Sequence, residues 1–155
     1  MNERIEDFIA QKKVAIVGAS RDPRKMGHAM VKELAFKGYE VYPVNPAGGE
    51  IAGRKCAARV AELPKDVTAA ILMVKAEAAP GAVAECAAAG IRKIWLHKGA
   101  GGMGPSTPEA LAACGREGIE PVHGLCPLMF YPPAGVHRVH YFFRKLSGGV
   151  PKELL

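Results

Sequence analysis

Residues 14–30 read VAIVGASRDPRKMGHAM. The first four are an unbroken apolar run, as expected of a parallel strand buried on both faces. GASRDPRK then interrupts the pattern with a glycine, a proline and four charged residues. From Met26 to Gly38 (MGHAMVKELAFKG) the stripe of Met30, Leu34 and Ala35 predicts a helix, and Gly38 is placed to end it. Strand, turn and helix in that order open an α/β unit.

The same alternation continues outward. YEVYPVNP (39–46) reads as a second strand ending in a turn, followed by the Gly-rich connection PAGGEIAGRK and one or two helical turns at RVAEL. VTAAILMV (67–74) reads as a third buried strand, AAPGAVAECAAAG (78–90) as a helix stopped by Gly90, and IRKIWLH (91–97) as a fourth strand. TPEALAACGREG (107–118) reads as a helix with Thr107 at its N-cap and Pro108 in its first turn. IEPVHG (119–124) supplies a short fifth strand. Upstream, Ile5, Phe8 and Ile9 predict an amphipathic helix within residues 1–12. The pattern predicts an α/β, Rossmann-like doubly wound parallel sheet of about five strands. The expected order, counting strands along the chain, is 3-2-1-4-5.

With 155 residues the chain suits a single domain. Its 21 Lys and Arg exceed its 15 Asp and Glu, for a net charge of +6. That surplus favours an anionic partner, whether nucleic acid, membrane surface or phosphorylated small molecule. Cys56, Cys86, Cys114 and Cys126 form no CxxC, so neither a zinc site nor a disulfide framework is indicated. The charged N-terminus lacks a signal-like apolar run, and no stretch reaches the roughly 20 apolar residues of a membrane span. A cytoplasmic setting is the expectation.

The turn at 18–29, GASRDPRKMGHA, is the best candidate for a ligand site. In doubly wound sheets ligands sit outside the carboxyl ends of the strands, at the switch point. Gly18 permits close backbone approach, Ser20 offers a hydroxyl and an amide, and Gly27 lets the helix start lie near a phosphate. The helix N-terminus adds free N–H groups and partial positive charge. The turn is neither GxGxxG nor a P-loop, and Arg21, Arg24 and Lys25 make it basic against Asp22 alone. A nicotinamide dinucleotide site usually carries an acid at the end of the second strand, about 20 residues past the glycine motif. Here that strand ends Val44, Asn45, Pro46, with Arg54 and Lys55 close behind. The pattern suits a nucleotide carrying an extra phosphate.

VAIVGAS, Gly27, GYEVYPVNP, Ile51 with Gly53, ELP at 62–64 and ILMV together resemble the CoA-binding domain family. These are small proteins similar to the N-terminal CoA-binding domain of the succinyl-CoA synthetase alpha subunit. The resemblance spans roughly residues 10–126. It implies that CoA or an acyl-CoA lies across the carboxyl edge of the sheet, with no metal. On this reading Gly18, Ala19 and Ser20 meet the phosphates, Val44, Asn45 and Pro46 line the adenosine side, and Val74 and Lys75 complete the cleft. Arg21 and Lys25 are added as phosphate partners on charge alone. The chain departs from the family in having Ala47 where a Lys often follows VNP. It also has His97 where the family commonly has the Gln of Trp-x-Gln-x-Gly, and His97 joins the candidate ligand contacts.

Other groups carry alternatives. His28 is either a phosphate contact or a solvent-facing helix residue. His123 and Cys126, in HGLCP, could line the site, and a Cys beside a His could be activated as a thiolate. His137 and His140 share HxxH spacing but lack a neighbouring acid or Cys ligand. No complete catalytic constellation emerges, so the expected role is non-catalytic CoA binding or regulation. The rivals are a small NAD(P)- or acyl-CoA-dependent enzyme or enzyme subunit, and a nucleic-acid-binding module. The last is disfavoured because aromatics do not interleave with the basic loop. Residues 127–155 hold five of the chain's ten aromatics within 130–143. They are expected to form a final helix covering an apolar sheet face or a homodimer surface.

Overall fold

The computed structural model describes residues 2–98, 101–102, 104–132 and 135–154, with only the backbone at 135–138 and 140. The HxxH side chains, His137 and His140, therefore lie outside the described residues.

Five parallel strands form the sheet: β1 (Lys13–Val17), β2 (Glu40–Val44), β5 (Ala69–Leu72), β6 (Lys93–His97) and β7 (Val122–Leu125). Between β2 and β5 lies a two-stranded hairpin, β3 (Glu50–Ile51) and β4 (Arg54–Lys55), in the stretch read as a Gly-rich connection. The helices are α1 (Glu3–Ile9), α2 (Met26–Phe36), α3 (Ala79–Ala88), α4 (Pro108–Arg116) and α5 (Gly135–Leu146). Thr107 caps α4 by accepting the Ala110 amide, and Asn2 caps α1 through the Arg4 amide.

The sheet order is β2-β1-β5-β6-β7, or 2-1-3-4-5 over the five main strands, and corrects the expected 3-2-1-4-5. The third strand lies beside the first, not outside the second. Its residues explain the placement: Ala69, Ala70, Ile71 and Leu72 are all fully buried, and such a run has no polar flank for a sheet edge. The position outside β2 falls instead to residues following β4. Ala57 bridges Val44 in parallel, donating to the Pro43 carbonyl and accepting from the Asn45 amide, both at 3.0 Å. The Rossmann-like class stands, and the point where the strand order reverses lies between β1 and β5.

Strand alternation divides the core between two faces. Val14, Ile16, Ile71 and Trp95 pack with α1, α2 and the C-terminal segment, whereas Ala15, Val17, Leu72 and Leu96 pack with α3 and α4. The C-terminal segment covers the sheet as its aromatics led us to expect. Leu128, Met129, Phe130 and Tyr131 are buried, and Trp95 packs against Phe8 and Phe130 with centroids 5.3 and 5.6 Å away. Tyr141 of α5 stacks edge-on against Phe130 at 4.9 Å, while Val139, Phe142, Phe143 and Leu146 stay exposed. Among the described residues no helix is long and apolar enough to cross a membrane.

Candidate functional site

The turn between β1 and α2 is held against the end of β5. Gly18 sits at φ +92°, and a Cβ there would lie 2.7 Å from the Met73 carbonyl carbon and 2.8 Å from the Val74 nitrogen. Gly27, in the first turn of α2, is closed in the same way: its Cβ would lie 2.7 Å from the Gly18 oxygen. Both glycines let backbone meet backbone, bringing the α2 N-terminus down onto the turn.

Hydrogen bonding separates structural groups from free ones. The Gly18 and Ala19 amides both donate to the Val44 carbonyl, at 3.2 and 3.3 Å, so they join the two turns. Asn45 fastens them further: its Nδ2 donates to the Ala19 oxygen, and its Oδ1 accepts the Ala47 amide, both at 2.9 Å. Pro46 is exposed beside it. Ser20 Oγ accepts a hydrogen bond from the Asp22 amide at 3.1 Å, and the Ser20 carbonyl accepts one from His28 Nδ1–H at 3.0 Å. His28 therefore supports the turn. The Ser20 amide has no hydrogen-bond acceptor among the described residues, and the Met26 and Gly27 amides, in the first helical turn, have no intrahelical one.

Charge concentrates around these amides. The N-cap of α2 is Lys25, which makes no side-chain capping hydrogen bond, and the first turn of the helix contains no acid. Arg24 is engaged within the turn: its Nε and Nη2 donate to the two oxygens of Asp22 at 3.0 Å each. The Arg24 hydrogen bonds hold the Asp22 carboxyl below its usual range. Arg21 and Lys25 enter no ion pair among the described residues. The Arg21 guanidinium lies over Gly49, where a Cβ would come within 2.8 Å of its Nη2. Val74 is half-buried and Lys75 exposed immediately after β5, on the same carboxyl edge. Beyond β2 a cavity of about 580 Å³ opens, lined among others by Tyr42, Arg54, Lys55 and Leu63. The sequence places Tyr42 in the second strand and Leu63 in a helical turn, both within the motifs of the family resemblance, and assigns neither to a ligand; the bridge at Ala57 turns that segment against β2.

The remaining candidates are less open. His97, at the end of β6, is buried, and its Nε2 has no hydrogen-bond partner among the described residues. Burial pushes its pKa down to about 4 from 6.5, so the imidazole is neutral at pH 7. Between pH 6.5 and pH 4 the unfolded chain binds a proton that the folded chain refuses, so stability falls with pH across that window. The loss attributable to His97 is about 3 kcal/mol. In urea unfolding at pH 7 and pH 4.5, His97→Gln should lose less stability on acidification than wild type. Equal losses would show that His97 titrates normally.

His123 Nε2 pairs with Glu153 Oε1 at 2.8 Å and ties β7 to the C-terminal segment. Cys126 is buried, and burial raises its thiol pKa, as it does for Cys56. Cys86 and Cys114 are pushed up to about 12 and about 11. None of the four is poised as a thiolate. Among the described residues no group of His, Cys, Asp and Glu could hold a metal ion.

Comparison with known proteins places the chain among relatives. A family model described as "CoA binding domain" matches residues 12–132. The alpha subunit of acetate–CoA ligase [ADP-forming] I from Pyrococcus furiosus is 40% identical over 96 residues, covering 58% of this chain and 21% of that one. The chain thus spans about a fifth of that relative's length. Among solved structures, a conserved hypothetical protein from Pyrococcus furiosus is 37% identical with a TM-score of 0.68, over 74% of this chain and 95% of that one. A hypothetical protein from Pyrococcus horikoshii OT3 is 30% identical with a TM-score of 0.73, over 82% and 87% of the two chains.

Proposed function

The chain belongs to the CoA-binding domain family, and on that premise we propose that it binds coenzyme A or an acyl-CoA across the carboxyl edge of its sheet without transforming it. One observation carries this reading. The N-terminus of α2 is uncapped and free of acids, faces the switch point, and is flanked by Arg21 and Lys25 with no ion pair among the described residues. Free amides, a helix dipole and two unpaired cations are what a diphosphate requires. The pantetheine arm then runs over the ends of β5 and β6, past Val74 and Lys75 toward His97. Strands are about 4.8 Å apart, so this path crosses roughly 10 Å.

The non-catalytic part rests on the same chemistry. The thiols are buried and held protonated, His123 is engaged by Glu153, and His28 by Ser20. The ligase subunit is much longer, and this chain aligns with only 21% of it. Calorimetric titration with CoA, acetyl-CoA and NAD tests the assignment. CoA or acetyl-CoA should bind in the micromolar range and NAD far more weakly. Tight NAD binding with no CoA binding would refute it.

A further inference from the structure

We propose that α5 is a membrane-docking helix, which lies flat on an anionic lipid surface with Val139, Phe142, Phe143 and Leu146 in the boundary between headgroups and acyl chains. The docking does not depend on CoA binding.

The orientation of α5 is the first argument. A helix on a globular surface ordinarily turns its apolar stripe inward, onto the core. The described side chains of α5 show the reverse. Its inner side is fixed by Tyr141, packed against Phe130 at 4.9 Å, and by Arg144, whose Nη2 donates to the Gly124 and Gly149 carbonyls at 2.8 and 2.9 Å. At about 100° per residue, Val139, Phe142, Phe143 and Leu146 share one stripe roughly 100° wide, centred on the opposite side of the helix. They are 54%, 58%, 61% and 69% exposed. The Phe142 and Phe143 rings meet each other edge-on, with centroids 5.9 Å apart. Four large apolar side chains held together in water mark an interaction surface.

Charge selects the partner. Residues 135–146 contain Arg138, Arg144 and Lys145 and no Asp or Glu, so half of the chain's net charge of +6 sits in this one helix. Lys145 is exposed, about 60° around the helix from the edge of the stripe. Phe and Leu on one face with Lys and Arg beside them is the pattern of helices that lie in the interface of an anionic bilayer. There the rings enter the boundary region, and each cation near the surface adds attraction to lipid phosphates.

Area excludes the other occupants. At these exposures the four side chains present roughly 400–500 Å², against about 800 Å² per partner in a stable protein–protein interface. A second copy meeting α5 with its own α5 would also set cations against cations, with no acid on either helix to offset them. A lipid surface needs no matching shape and supplies the missing negative charge. The helix has 12 residues and is about 18 Å long, so it lies on the bilayer and does not span it. One short stripe with a few cations gives reversible attachment.

The test is co-sedimentation of the full chain with vesicles of phosphatidylcholine alone and with about one-third phosphatidylglycerol. The chain should partition onto the anionic vesicles at least about 10-fold more strongly, and added salt should weaken that partitioning. Phe142→Ser/Phe143→Ser should weaken it by about 10- to 100-fold while leaving the melting temperature unchanged, because both rings are exposed. Leu146→Ser, at the most exposed of the four positions, is the second variant and should act in the same direction. Equal partitioning onto the two kinds of vesicle, or partitioning that survives the serine substitutions, would overturn the proposal. Self-association in sedimentation equilibrium that Phe142→Ser/Phe143→Ser abolishes would also overturn it, since a second copy would then cover the stripe.

Discussion

Gly18→Ala is expected to destabilise the fold by about 3 kcal/mol or more, a large share of the 5–15 kcal/mol that holds an ordinary domain together. Two penalties coincide. The residue sits at φ +92°, where an L side chain is strained, and its new Cβ would lie 2.7–2.8 Å from three backbone atoms of Met73 and Val74. Those atoms directly follow the central strand β5 and cannot give way as the tip of a side chain can. Relief would require β1 and β5 to separate, and with them the turn that supports α2. Gly53→Ala is the control: Gly53 has φ +76° but no atom within 4 Å, so only the conformational cost of about 1 kcal/mol remains. Urea unfolding of both variants separates the contributions. Equal midpoints would mean that the close approach of Gly18 to β5 is not rigid.

Arg21→Glu combined with Lys25→Glu should weaken CoA binding by about 10²- to 10³-fold, while leaving the melting temperature nearly unchanged. Each cation supplies a charge-assisted hydrogen bond to phosphate worth about 1.5–3 kcal/mol, and reversal adds repulsion. Stability should hold because both side chains are exposed and neither has an ion-pair partner among the described residues to lose. Wild-type affinity should fall with added salt, and that dependence should be largely abolished in the variant. Arg24→Ala is the discriminating control. Arg24 is equally basic and equally near in sequence, but its guanidinium is committed to Asp22, so its removal should cost far less affinity. If all three positions matter alike, the positive charge acts as a diffuse field and not as a built site.

Much of this was legible beforehand because the decisive signals are local. The apolar run at 14–17, Gly38 and Gly90 after their helices, and Thr107 with Pro108 each specify an element within a few residues, and each element forms. The order of the strands was not legible in that way. Whether residues 67–74 lie outside β2 or beside β1 depends on which strand must be buried on both faces. AAIL carries that information only when read as too apolar for an edge. The hairpin was hidden for a different reason. Ala-Gly is a poor hairpin signal, and it is the bridge from Ala57 to Val44 that places the hairpin segment against the sheet.

At the site, charge was readable and engagement was not. Arg21, Arg24 and Lys25 look alike in sequence, and only geometry shows that Asp22 holds one of them. The Gly18 and Ala19 amides and the Asn45 side chain lock the first two turns together, an engagement the sequence does not display, while the Ser20 amide has no acceptor among the described residues and the Met26 and Gly27 amides have no intrahelical one. His97 was read as a ligand contact from its place at a strand end. Its burial, and an Nε2 with no partner among the described residues, are not visible there, because they depend on packing from elements distant in sequence.

The central claim is that a phosphate-rich CoA ligand sits on the α2 N-terminus. Titrating CoA into ¹⁵N-labelled protein and following backbone amide shifts addresses it residue by residue. The account predicts that the Ser20, Met26 and Gly27 amides move first and furthest, saturating together with the calorimetric isotherm. Saturable CoA binding that leaves those three amides in place would contradict it.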